Sequence, residues 1–141
     1  MNKKKSHTLE VKPENPPVLF GIISTENDYS LSFQLNRALN IELTRQDDFV
    51  LERKGKPSLF FPSFSYISSD DTVGYQLLKN KTQGQVLVAE HKTTDYFLLI
   101  FGDNNDNIIH SLHEKIRQIP GVNVVMPLNF TEIRPFNKLF L

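Results

Sequence analysis

The stretch Tyr96-Phe97-Leu98-Leu99-Ile100-Phe101 is apolar or aromatic at every position, as expected of a strand buried on both faces. It is followed by Gly102-Asp103-Asn104-Asn105-Asp106-Asn107, a turn rich in short polar side chains that cap helix N-termini. Ile108, Ile109, Leu112, Ile116 and Ile119 then recur at helical spacing. Pro120-Gly121 stops that helix, because proline breaks the ladder and glycine accepts the turn conformation beyond a helix end. Residues 122–126 read as a further strand. Strand, helix, turn and strand make one compact βαβ unit.

The same logic opens the domain. Val18-Leu19-Phe20-Gly21-Ile22-Ile23 reads as a second strand buried on both faces. Thr25-Glu26-Asn27-Asp28 supplies N-cap chemistry. Leu31, Leu35, Ala38 and Leu39 then form an apolar stripe, with Ser32, Gln34, Asn36 and Arg37 between them, predicting a helix from Asp28 to about Asn40. The middle of the chain reads as strands. Residues 49–53 and 58–61 flank Lys54-Gly55-Lys56-Pro57, a hairpin turn. Pro62 marks an edge or a bulge. Residues 63–67 alternate strictly, Asp70-Asp71 turns the chain, and residues 73–78 return, with Phe64 and Tyr66 on one sheet face. Two helices against a mostly antiparallel sheet predict an α+β two-layer sandwich, a ferredoxin-like variant with extra middle strands.

A length of 141 residues fits one such domain. The 16 Lys and Arg balance 16 Asp and Glu, so net charge is zero, which argues against a dedicated nucleic-acid binder with a basic face. There is no cysteine, which excludes disulfides, thiolate metal sites and thiol chemistry. The expected organisation is a flexible basic tail over 1–16, a single α+β domain over 17–128 and an apolar C-terminal tail over 129–141. Lys3, Lys4 and Lys5 precede no apolar run of the kind a secretory signal needs, and no stretch approaches the ~20 apolar residues of a membrane span. A cytoplasmic location without a membrane is therefore expected. The C-terminal tail carries Phe130, Ile133, Phe136, Leu139, Phe140 and Leu141. So apolar a segment needs cover, either from its own domain or from a partner or second copy meeting Phe130, Ile133, Phe136 and Phe140.

Val88-Ala89-Glu90-His91-Lys92-Thr93-Thr94-Asp95-Tyr96 resembles the signature of the IPExxxVDY family, small bacterial proteins found chiefly in the Bacteroidota. Glu90, Asp95 and Tyr96 match in identity and spacing, whereas Val88, Ala89 and Thr94 replace isoleucine, proline and valine. Asp28-Tyr29-Ser30-Leu31 with Leu35-Asn36, and Ile119-Pro120-Gly121-Val122, are similar to two further stretches of that family. The resemblance covers roughly residues 18–128. It implies a small cytoplasmic bacterial protein and supplies no catalytic residue, since no activity is assigned to the family.

Read chemically, Glu90 and Asp95 have three roles open to them. They line a cleft for a cation or basic partner, or staple a loop by accepting buried backbone donors, or act as an acid–base pair. His110 and His113 stand three residues apart on the second helix. A zinc or nickel site there, with Asp103 or Asp106, lacks a third ligand at diagnostic spacing. The Asp103-Asn104-Asn105-Asp106-Asn107 run lacks the glycine and glutamate of a calcium loop. No glycine-rich phosphate loop or nucleophile elbow is present, so no cofactor and no metal is expected. Lys54, Lys56, Lys79 and Lys81 with Phe60, Phe61, Phe64 and Tyr66 form the pattern of an RNA-binding sheet with a basic rim, opposed by Asp47-Asp48 and Asp70-Asp71 at strand ends. The leading expectation is a non-catalytic protein- or ligand-binding or regulatory module. An RNA- or ribosome-associated protein is the alternative, and an enzyme using Glu90 and Asp95 is third.

Overall fold

Val18–Ile23 forms a strand, β1, that places Phe20 and Ile22 on one face of a sheet and Leu19 on the other. The structure, a computed structural model, describes residues 16–102 and 105–136. Apart from Pro16, the basic tail expected over 1–16 lies outside the described residues, as do Asp103, Leu139, Phe140 and Leu141. After β1 come α1 (Asp28–Leu39), β2 (Thr44–Arg53), β3 (Lys56–Ile67), β4 (Val73–Lys79), a short pair β5 (Lys81–Thr82) and β6 (Gln85–Val86), β7 (Tyr96–Gly102), α2 (Asp106–Arg117) and β8 (Val124–Leu128). The main sheet runs β2-β3-β4-β7-β1-β8, and every neighbouring pair in it is antiparallel. Both helices lie on one face, where Leu31, Leu35, Leu112 and Ile116 pack with Phe20, Ile22, Leu98 and Ile100. The fold is thus the α+β two-layer sandwich that the hydrophobic pattern predicts. Within it, β8-β1-β7-β4 carries the ferredoxin-like strand order, and β2 and β3 extend the sheet beyond β4.

Local chemistry sets the boundaries. The Asn27 side chain accepts from the Ser30 N–H and starts α1, and Asn40 ends it in the left-handed region at φ 57. The Asn36 carboxamide then clamps Leu43, accepting its N–H at 2.8 Å and donating to its carbonyl at 3.2 Å. That clamp aims the chain at the far edge of the sheet. Asn105 caps α2 by accepting from the Ile108 N–H at 2.9 Å. Two stretches expected as separate strands, 58–61 and 63–67, form one continuous strand, β3. Pro62 does mark a bulge. The register passes from Gln46 opposite Ser63 to Phe49 opposite Phe61, so Asp47 and Asp48 together face the proline. On its other side β3 pairs with β4 only over Ser63 to Ile67, so Pro62 sits just past the last ladder partner, where a missing N–H costs little. The β2–β3 turn is Lys54-Gly55, with Gly55 at φ 74, a value glycine adopts without a Cβ clash. The sequence pattern assigns no element to residues 79–87. The β5–β6 hairpin there turns through Gln83 and Gly84, both at positive φ, the mirror-image turn that suits strand twist.

No α-helix among the described residues lies over the second face of the sheet. Leu19, Phe61, Leu78, Phe97 and Leu99 are covered instead by Leu87 and Val88 and by Phe130, Ile133 and Phe136. Phe136 is fully buried, its ring edge-on to Phe97 at 5.4 Å and stacked with Phe130 at 6.1 Å. Of the four side chains weighed as a partner contact, Phe130, Ile133 and Phe136 are therefore buried in their own domain, and Phe140 lies outside the described residues. A buried side chain has no surface left to offer a partner. Truncating Phe136 to alanine should cost about 3–5 kcal/mol, the usual range for deleting a buried phenyl. Urea unfolding of the full chain checks this; a loss under about 1 kcal/mol would show that the C-terminal segment is not core.

Candidate functional site

The loop that carries Glu90 and Asp95 is organised by Asn80, a residue that no sequence pattern singles out. Asn80 follows β4 and is completely buried. Its Nδ2 donates to the carbonyls of His91 at 2.9 Å and Thr94 at 2.7 Å. Its Oδ1 accepts from the N–H groups of Leu87 at 3.1 Å and Val88 at 2.9 Å. Its own N–H donates to the Asp95 carbonyl at 2.8 Å, and its carbonyl accepts from Leu87 at 2.8 Å. Every hydrogen-bonding group of the residue is used, which is what a buried carboxamide requires.

Asp95 and Tyr96 carry that order into the helix layer. Asp95 Oδ2 accepts from the Ser24 N–H at 2.9 Å, and Oδ1 accepts from Lys81 Nζ at 2.9 Å. The carboxylate is thus a staple between β7 and the loop leading from β1 to α1. The Lys81 ammonium is well exposed, so that ion pair adds about 0–1 kcal/mol at most. The Tyr96 hydroxyl donates to the Glu26 carbonyl at 2.7 Å. Burial, reinforced by nearby Asp28, Asp95 and Glu26, holds that hydroxyl far above the ordinary tyrosine value of 10. Ser24 Oγ in turn donates to the Gly121 carbonyl and accepts from the Glu26 N–H. Glu26 accepts from Ser30, Gln34 Nε2 donates to Ser30, and Gln34 Oε1 accepts from the Gly121 N–H. A Cβ on Gly121 would lie 2.6 Å from both Gln34 Oε1 and Glu26 Cγ, so glycine is needed for this approach. One polar network therefore ties the β7 loop, the start of α1 and the α2–β8 turn together.

Glu90 does not belong to it. It lies in the helical turn Ala89–His91 with its side chain exposed, and none of the described residues hydrogen-bonds its carboxylate. The structure thus makes Asp95 a staple and separates Glu90 from it chemically. His110 is exposed, whereas His113 Nε2 contacts the Val125 carbonyl at 3.1 Å and its ring lies beside Phe20. Among the described residues no group of three metal-ligating side chains comes together. Of the aromatic side chains weighed for RNA stacking, Phe61 and Phe64 are buried and Tyr66 is half-buried, leaving Phe60 exposed.

A groove of about 630 Å³ lies between α1 and α2, with Phe33, Arg37 and Ala38 on one side and Lys115, Gln118 and Pro120 on the other. Phe33 is 60% exposed, and the Arg37 guanidinium stands 5.8 Å from its ring centre. The signal for Phe33 was present in the sequence: a large aromatic off the Leu31–Leu35 stripe of an otherwise amphipathic helix. Comparison with protein-family models, with curated proteins and with solved structures returns no match. No helix among the described residues is long and apolar enough to cross a membrane.

Replacing Asn80 with alanine should cost about 3 kcal/mol or more, since the Val88 N–H and the Thr94 and His91 carbonyls lose the carboxamide while Leu87 keeps only its bond to the backbone carbonyl. A change below about 1 kcal/mol in urea unfolding would refute its organising role. Tyr96→Phe should lose about 1 kcal/mol near neutral pH. It should also flatten the alkaline limb of stability. Above pH 10 the unfolded tyrosine ionises while the folded one keeps its proton, so wild-type stability falls as pH rises. Parallel alkaline limbs for the two proteins would contradict this.

Proposed function

We propose that the chain is a non-catalytic binding module whose working face is the groove between α1 and α2. The observation that carries this reading is the Phe33 ring, exposed on a well-formed helix at the rim of a concavity. A large exposed ring beside a groove with a few polar groups is how ligand sites are built. An acid–base role for Glu90 and Asp95 finds less support, because Asp95 is committed to Ser24 and Lys81 while Glu90 faces solvent. We propose further that the chain is a divergent member of the IPExxxVDY family. In support, the stretches that carry the resemblance meet in one network, through Asp95 and Tyr96, Ser30, and Gly121.

Fluorescence of the dye 8-anilinonaphthalene-1-sulfonate tests the groove. Its emission should rise and shift to the blue with the wild-type protein, fall sharply for Phe33→Ser and persist for Phe60→Ser. Phe60 is the other exposed phenylalanine among the described residues, and both changes sit at surface positions expected to move stability by no more than about 0.5 kcal/mol. Emission that survives Phe33→Ser would overturn the reading.

A further inference from the structure

We infer that the groove selects a small organic anion, one carboxylate or phosphate group carried on an apolar or aromatic body; this inference rests on the reading of the groove as the binding face. Its two sides each present a cation, Arg37 from α1 and Lys115 from α2, and among the described residues no acidic side chain lines it. Neither cation has a carboxylate partner among the described residues, unlike Arg45 with Asp48, Lys81 with Asp95 and Arg117 with Glu114. Both stand in the last turns of their helices, where each offsets about half a negative charge from the aligned carbonyls. About one positive charge in total is left over, enough to prefer one anionic group. Arg37 is also held beside the Phe33 ring, which orients its planar fork next to an apolar platform. Ala38, Ile119 and Pro120 complete an apolar floor. The volume of about 630 Å³ suits a single small molecule. The chain as a whole is neutral, so nothing beyond the groove itself would draw a polyanion to it.

The test is a backbone amide NMR titration of the full chain with phenyl phosphate, benzyl alcohol and inorganic phosphate in parallel. Phenyl phosphate should shift the amides of Phe33, Ala38, Lys115 and Gln118. It should bind about tenfold more tightly than either fragment alone, the gain expected from adding a charge-assisted contact to apolar burial. The Arg37→Gln/Lys115→Gln double variant should bring phenyl phosphate to the level of benzyl alcohol, with the rest of the spectrum unchanged. Equal affinity for benzyl alcohol and phenyl phosphate at the groove would overturn the selectivity and leave the groove a binding site. Equal affinity for inorganic and phenyl phosphate would overturn the role of the apolar body. Undiminished phenyl phosphate binding by the double variant would overturn the role of the cations. No shift of these amides with any of the three would overturn both the selectivity and the groove.

Discussion

The buried carboxamide of Asn80 is the constraint on which the architecture turns. β4 and β7 are neighbours in the sheet, yet the chain between them makes a long excursion through β5, β6 and a helical turn. An irregular segment that dips into a core leaves backbone donors and acceptors without ladder partners, each costing about 1–3 kcal/mol if unmet. Asn80 meets several of them at once, with two donors and one doubly accepting oxygen. Leu87 and Val88 are thereby held against the sheet face opposite α1 and α2, and the chain enters β7 with Asp95 and Tyr96 already aimed.

What Asn80 fixes on one side, Asp95 and Tyr96 transmit to the other. Their bonds to Ser24 and Glu26 hold the connection between β1 and α1. Ser24 and Gln34 then clasp the two backbone groups of Gly121, in the turn after α2. α1 and the end of α2 are thus spaced by hydrogen bonds at one end of the sheet as well as by apolar packing beneath. The groove lies beside this clasp, between the C-terminal half of α1 and the last turn of α2 with the Gln118-Ile119-Pro120 turn, so the polar network helps to set the spacing of its two sides.

The sequence made legible whatever is decided locally. Apolar runs announced β1 and β7, Asn27 and Asn105 stood where caps are needed, and Pro120-Gly121 marked a stop that the structure keeps. Pro62 was legible as a disturbance because a residue without an N–H constrains its own ladder position. For Glu90 and Asp95 together a staple was one of three roles left open by the sequence, and only long-range bonds to Ser24 and Lys81 distinguish Asp95 from Glu90. Long-range decisions were not readable. Asn80 looks like a surface turn residue until the loop that wraps it is in place. Residues 129–136 have an apolar content that demands cover, but which surface provides it depends on one sheet face being left without an α-helix among the described residues. Phe33 could be seen to miss the buried stripe, yet the groove beside it exists only once α2 has packed.

The balance of 16 basic against 16 acidic residues acquires a different meaning at this scale. Summed over the chain it removes long-range attraction for a polyanion, since fields from exposed charges fade within a Debye length of about 8 Å at physiological salt. It does not make every locality neutral. Arg45, Lys81 and Arg117 each lie against a carboxylate, so their charge is largely compensated in place. Arg37 and Lys115 lie instead at the ends of two helices that converge on one groove, where only partial backbone charge opposes them. On the proposed reading, a neutral protein with a locally cationic, aromatic-edged groove would discriminate at contact distance and not at approach. A ligand that fits the proposed reading brings both an anionic group and enough apolar surface to hold it there, because neither contribution alone is large on so open a face.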